Sequence, residues 1–115
     1  MPHCIIEHSP TINGSDLLPL VFKGALNTRL FESDGSDIKV RALPFQEYQT
    51  GVSKSDFIHV VLKILSGRSA SDKQNLSQQV LKQIISLNLQ SCSVTVEVVD
   101  IDIDIDRSSY SKVVL

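Results

Sequence analysis

The chain has 115 residues, 42% hydrophobic and 21% charged, with a formal net charge of −2, which suits one domain with a single core over 1–115 and not two. Its Lys, Arg, Asp and Glu are dispersed, which excludes the basic field that nucleic-acid binding needs. No apolar run approaches the roughly 18 residues of a membrane span and no secretory signal opens the chain, so a cytoplasmic protein without nucleic-acid or membrane partners is expected.

The chain opens Met1-Pro2-His3-Cys4-Ile5-Ile6. Removal of Met1 would leave Pro2 as a secondary amine whose ring fixes its direction. An ordinary α-amino group titrates near 7.7–8.0, and burial beside cations lowers that value by disfavouring the charged form. Pro2 is therefore the candidate catalytic base, against the alternative of a processed terminus with no role. A strand over residues 3–8 begins at once and would tie down a terminus that ordinarily frays.

Asn13-Gly14-Ser15-Asp16 is a turn that supplies an N-cap. Leu17, Leu20, Val21, Ala25 and Leu26 then give a helix its apolar face, and Pro19 is expected in its first turn, where proline is tolerated. Ser33-Asp34-Gly35-Ser36 closes the helix. The next strand alternates with period two, placing Ile38, Val40 and Ala42 on one face and Lys39 and Arg41 on the other. Two cations on one strand face are either the solvated side of a half-exposed strand or a seat for an anion.

The plan repeats after Ser53-Lys54-Ser55, dividing the domain into halves of about 1–54 and 55–115, each reading strand, helix, strand. Phe57 to Leu65 is almost continuously apolar, the pattern of a central strand covered on both faces. Ser66-Gly67-Arg68-Ser69 turns into a helix with Ser69 and Asp72 as a capping box. Leu76, Val80, Ile84 and Leu87 form its buried row, with Leu81 and Ile85 beside it. Gly67 and Arg68 bring backbone N–H groups, the positive helix end and a guanidinium together, all of which favour an anion.

The last strand is expected from about Ser93 to Asp106. Val94, Val96 and Val98 are apolar at even positions, whereas Val99, Ile101, Ile103 and Ile105 are apolar at odd ones. A bulge or bend near Val98-Val99 would restore one buried face, as would passage of the strand into a neighbouring subunit. Passage is favoured, because about 14 residues exceed what so small a domain covers and so apolar an edge invites a partner. Asp100, Asp102, Asp104 and Asp106 are expected to form a solvated acidic face, since the glycine and distal glutamate of an EF-hand are missing. Cys4 and Cys92 read as buried reduced thiols. His3 and Glu7 share a strand face that His8 does not, which disfavours a metal site. No nucleophile elbow, phosphate loop or dinucleotide fingerprint is present, and no cofactor is expected.

In order, Met1-Pro2-His3 with Ile5-Ile6-Glu7, Asp16-Leu17 with Pro19, Ile38-Lys39-Val40-Arg41, His59 with Leu62-Lys63-Ile64, and Gly67-Arg68-Ser69 resemble 5-carboxymethyl-2-hydroxymuconate isomerases of the tautomerase superfamily, over roughly residues 2–90. The resemblance implies an α+β fold of two β-α-β units, with a four-stranded sheet, two helices on one face, and a homotrimer closed by strands crossing between subunits. It implies a cofactor-free isomerase of aromatic-acid breakdown, acting on an unsaturated 2-hydroxy di- or tricarboxylate. Pro2 would take the enol proton and return it to carbon farther along the conjugated system. Arg68 and the position of Lys39 would hold carboxylates and stabilise enolate charge, and Arg41 matches a second arginine of that strand.

The chain departs from the family at Lys39, where the family has arginine; an ammonium is a point charge and cannot grip a carboxylate with a planar fork. Retained Met1 would turn the Pro2 nitrogen into a non-basic amide. Two alternatives stand beside the isomerase. One is a trimeric binding or signalling module resembling the macrophage migration inhibitory factor branch; the other is a hydratase, decarboxylase or dehalogenase relative using the same proline.

Overall fold

A computed structural model describes residues 1–102 and 109–115. It contains β1 (His3–His8), α1 (Gly14–Asn27), β2 (Lys39–Pro44), β3 (Asp56–Ile64), α2 (Ala70–Ile85) and β4 (Cys92–Asp100). The strands form one sheet in the order β2-β1-β3-β4. β1 runs parallel to β2, β3 parallel to β4, and the two central strands are antiparallel to each other. The two β-α-β units anticipated from the repeated plan thus meet along β1 and β3. Each helix is the crossover of its own parallel pair, and no helix among the described residues is long and apolar enough to cross a membrane.

Period-two alternation decides which face of the sheet the helices cover. Cys4 and Ile6 of β1 and Ile58, Val60, Leu62 and Ile64 of β3 are buried. Against them lie Leu17, Val21 and Ala25 of α1 and Leu76, Val80 and Ile84 of α2. The intervening residues of β3, Phe57, His59 and Val61, are only half-buried. The expectation that β3 is covered on both faces therefore fails within one chain, because both helices occupy the same side. Ile85, read as lying beside the buried helix row, is 59% exposed, since the turn of the helix carries it past the sheet.

The helices themselves follow their end signals. Asn13 caps α1 by accepting from Ser15 N–H, and Ser69 caps α2 by accepting from Asp72 N–H. Pro19 lies beyond the expected first turn: it is the sixth residue of α1, so its ring removes the N–H that would have donated to the Ser15 carbonyl. Ser15 and Pro19 are both exposed, and water can serve that carbonyl. Where the helices cross, Gly24 is buried, and a Cβ there would fall 2.7 Å from Val80 Cα and 2.9 Å from the Gln79 carbonyl oxygen.

β4 does not resolve the phase shift in its sequence by a bulge. Its pairing with β3 continues without a slip from Asp56↔Cys92 to Ile64↔Asp100, so there is no bulge at Val98-Val99. Val99 keeps the outward position, 36% exposed, and Asp100 takes an inward one. Lys73 of α2 meets it with Nζ 2.9 Å from Asp100 Oδ2, while Oδ1 is buried without a hydrogen-bond partner among the described residues. Asp102 is only 3% exposed and accepts from Ser109 N–H at 2.8 Å. The solvated acidic face is thus overturned at Asp100 and Asp102, whose carboxylates are taken up by partners; Ile103, Asp104, Ile105 and Asp106 lie outside the described residues. Cys4 is a buried free thiol and Cys92 a half-buried one.

Two substitutions test these contacts. Gly24→Ala is expected to destabilise the protein by about 1–3 kcal/mol in denaturant unfolding, because forcing two backbones apart outweighs the helix-propensity gain of about 1 kcal/mol; a more stable variant would refute the close crossing. Lys73→Ala is expected to cost about 1–2 kcal/mol, since the pair is only partly exposed and Asp100 would lose its counter-charge. Adding Asp100→Val should restore that stability, and a double variant as weak as Lys73→Ala would show that the pair does not explain the inward aspartate.

Candidate active site

Pro2 is fully buried at the head of β1. A central strand that begins at the chain terminus needs hydrogen bonds up to its first residues, and these are made: Lys39 N–H donates to the Pro2 carbonyl at 3.1 Å. Met1 precedes it in the structure, and its ammonium donates to the Asp37 carbonyl at 2.8 Å with the Asp37 carboxylate 3.9 Å away. Lys39 Nζ donates to the same carbonyl at 3.1 Å. One backbone oxygen thus draws the terminal amine and the Lys39 ammonium together, although the two repel.

That crowding has an electrostatic result. Burial, then the positive charge of Lys39, lowers the pKa of the Met1 amine from its ordinary value; Asp37 acts in the opposite direction and Lys112 adds to the lowering. The neighbouring imidazole responds alike. Burial, then Arg41 and Lys39, pushes the His3 pKa down. Arg41 Nη1 lies 3.2 Å from His3 Nδ1, and a guanidinium only donates, so Nδ1 accepts and a neutral ring carries its proton on Nε2. On the other side of Pro2 in the chain's first strand, burial raises the Cys4 thiol to about 12, which keeps it protonated and inert.

Met1 stands at an open cavity of about 1410 Å³ whose wall includes His3, Phe31, Lys39, Arg68 and the C-terminal segment from Tyr110 to Leu115. A smaller recess of about 170 Å³ adjoins it between Met1, Phe31, Leu65, Gly67 and Arg68. Gly67 adopts φ +113°, a left-handed value open to glycine, and this turn directs Arg68 back toward the end of α1, where Nη2 donates to the Leu30 carbonyl. The fold therefore brings Met1, Lys39 and Arg68 to one cavity from the chain terminus, β2 and the loop before α2, whereas Pro2, fully buried behind Met1, is not among the residues that line it. Arg41 sits two residues along β2, paired with Ile5; it does not line the cavity and meets only His3, which does.

Sequence reasoning missed Asp37, Phe31, Tyr110 and Lys112. Asp37 precedes the charged strand and acts largely through its backbone, which no side-chain pattern reveals. Tyr110 and Lys112 follow the last strand in a stretch without periodicity. Tyr110 Oη contacts Met1 Sδ at 3.9 Å, a meeting across the full length of the chain.

The sequence profile of the 5-carboxymethyl-2-hydroxymuconate isomerase family matches residues 2–106, and the chain belongs to that family. No sequence among curated proteins matches it. Among solved structures, a 5-carboxymethyl-2-hydroxymuconate isomerase from Deinococcus radiodurans R1 is similar with a TM-score of 0.72 at 18% identity, covering 96% of this chain and 88% of that one. A 5-carboxymethyl-2-hydroxymuconate delta-isomerase is similar with a TM-score of 0.72 at 14% identity, over 99% and 88% of the two chains. A fused 4-OT described as a symmetric trimer reaches 0.69 at 15% identity, over 86% of each chain. Likeness at these identities shows a shared tautomerase fold, and the family match makes this chain an isomerase of that fold.

If Lys39 lowers the terminal pKa as argued, replacing it with alanine removes a repulsive charge and raises that pKa. In the pH dependence of amine acylation at the chain terminus, followed by mass spectrometry, the Lys39→Ala midpoint should lie above that of the parent. An unmoved or lower midpoint would remove Lys39 from the electrostatics of the site.

Proposed function

We propose that this member of the 5-carboxymethyl-2-hydroxymuconate isomerase family, once freed of Met1, ketonises an unsaturated 2-hydroxy polycarboxylate with the Pro2 nitrogen as general acid and base. The observation that carries this reading is a fully buried Pro2 at the head of a central strand, directly behind Met1, which lines a cavity together with Lys39 and Arg68. Loss of Met1 converts an amide nitrogen into a secondary amine at the same place. The environment that lowers the Met1 amine's pKa, burial and the Lys39 charge, would favour a neutral amine there too, as a general base near pH 7 requires.

The chemistry needs no redox step. The Pro2 nitrogen accepts the proton of the enol hydroxyl, electrons move along the conjugated diene, and the protonated amine returns the proton to the far carbon, leaving a conjugated 2-keto acid. Negative charge builds on the enolate oxygen between the two transfers. Lys39 and Arg68 serve there as fixed cations for that oxygen and for the carboxylates, which lowers the barrier without reorganisation. Arg41 supports this indirectly by holding His3 neutral, and it is the remaining cation of that strand that can reach an acid from the sheet face. Since Lys39 offers a point charge in place of a fork, binding of the acid rests more heavily on Arg68.

A homotrimer belongs to the same reading. The uncovered sheet face carries half-buried Ile5, Phe57 and Val61 between polar neighbours, and apolar side chains on an open sheet call for another layer. The fused 4-OT of similar fold is a symmetric trimer. Light scattering after gel filtration should give about three times the chain mass of 12.7 kDa; a monomer would leave the sheet face without an explanation.

The decisive experiment is an ultraviolet assay with 2-hydroxymuconate and its 5-carboxymethyl derivative, on protein whose mass confirms loss of Met1. Turnover is expected, with Pro2→Ala lowering kcat by roughly 10²–10⁴ while the assembly stays intact, and Arg68→Ala chiefly raising KM. Full activity in Pro2→Ala would overturn the proline mechanism. No turnover of either dienol by processed protein would redirect the function to a binding module or to a proline-dependent hydratase or decarboxylase.

A further inference from the structure

The two ends of the sheet each carry a cavity. Because β1 and β3 are antiparallel, the carboxyl ends of the two parallel pairs point opposite ways, and small ligands of open α/β sheets bind outside such ends. The cavity at Met1 lies beyond the end of β3. A second cavity, of about 530 Å³, lies beyond the ends of β1 and β2, against the first turn of α1. That volume is ordinary for a small-molecule pocket.

His8, the last residue of β1, lines this second cavity although it is only 3% exposed. Its Nδ1 lies 2.8 Å from the Ser9 carbonyl oxygen, which only accepts, so Nδ1 carries a proton and Nε2 is the free position. Nε2 has no hydrogen-bond partner among the described residues, and it is not sealed from the cavity, since the one sealed orphan among them is Asp100 Oδ1. It is aimed at the start of α1, where a Cβ on Gly14 would fall 2.7 Å from it. A helix start leaves its first N–H groups without intrahelical partners. Asn13 takes up those of Ser15 and Asp16 through its side chain and its carbonyl, whereas the Gly14 N–H has no partner among the described residues. A backbone donor and a buried imidazole nitrogen thus face one space.

The rest of that space is largely apolar, with Ile12, Leu18, Ala42 and Pro44 in its wall and no titratable side chain but His8. The charges of the surrounding elements point elsewhere or are engaged. Glu7, Lys39, Arg41, His59 and Lys63 belong to the opposite face of the sheet, Asp56 accepts from the Ser9 and Thr11 hydroxyls, and Asp16 and Lys23 of α1 are exposed. A bare anion would be costly here, because burial penalises an unbalanced charge.

We propose that this cavity binds a small monocarboxylic acid with an apolar body, whose carboxyl group shares one proton with His8 Nε2 and accepts from the Gly14 N–H. The shared proton leaves the buried pair neutral overall, and the body lies against Ile12, Leu18, Ala42 and Pro44. A second carboxylate would find no counter-charge, so diacids are excluded. The site is separate from the Met1 cavity and does not depend on the isomerase reading.

Benzoate is the probe, titrated into the nitrogen-15-labelled full chain and followed through backbone amide shifts. At pH 5.5 the shifts should centre on Gly14 and its neighbours, and benzoate should bind roughly 10-fold more tightly than benzamide, which has the same shape without the acid. Raising the pH to 8 should weaken benzoate by about 10-fold or more and leave benzamide unchanged, because imidazoles lose their proton over that range. Gly14→Ala puts a methyl group where the acid would sit, at a position with no positive φ to strain it, and should abolish binding while the amide spectrum shows an intact fold. His8→Asn can still donate to the Ser9 carbonyl but has nothing in place of Nε2, and should lose the pH dependence. Shifts confined to Gly67 and Lys39, no shifts at all, benzamide binding as tightly as benzoate, or a folded Gly14→Ala variant that binds like the parent would each overturn the proposal.

Discussion

The site depends on a chain terminus held in the middle of a sheet. β1 pairs on one side with β2 and on the other with β3, and the pairing reaches its first residues because Lys39 N–H meets the Pro2 carbonyl. A terminal residue is usually the least ordered part of a domain. Here its movement would cost ladder hydrogen bonds on both sides as well as the burial of Cys4 and Ile6. The amine of Met1, which precedes this strand, is held against the Asp37 carbonyl, where burial and then Lys39 lower its pKa.

Around that fixed point charges of both signs gather, Glu32 and Asp37 among them. Lys39 comes from the strand beside the terminus, Arg68 from the loop before α2 and Lys112 from the far end of the chain. Asp37 offers the opposing charge, yet its carbonyl is also what holds Lys39 against the terminus. Replacing a family arginine by Lys39 therefore preserves a nearby positive charge while giving up bidentate geometry. The two lysines bias protonation of the Met1 amine, whereas in the proposed reaction gripping a carboxylate would fall to the guanidinium of Arg68, directed by the Gly67 turn.

The duplicated β-α-β plan also explains what the single chain leaves open. Placing both crossover helices on one side of the sheet covers Ile58, Val60, Leu62 and Ile64 and leaves Phe57, His59 and Val61 half-covered. His59 spends its ring on this face between Thr95 Oγ1 at 2.6 Å and Glu97 Oε2 at 2.7 Å, so these three polar members of the open surface satisfy one another. The proposed trimer would layer this face with another copy.

Much of this was determined by the sequence itself. The period-two and helical patterns, the caps at Asn13 and Ser69 and the order of elements are local consequences of side-chain type, and they lead to two β-α-β units. Pro2, Lys39, Arg41 and Arg68 were legible for the same reason: a terminal imino acid, two cations on one strand face and a Gly-Arg turn are chemical patterns within a few residues. The phase shift at Val98-Val99 was visible, but its outcome was not, because whether a strand bulges or buries an aspartate depends on what faces it. Lys73 lies on another element and decides the matter at Asp100. Only the tertiary structure could bring Asp37, Tyr110 and Lys112 to the cavity at Met1 and set Arg41 against His3, since these relations join residues distant in sequence through backbone atoms and packing that leave no periodic trace.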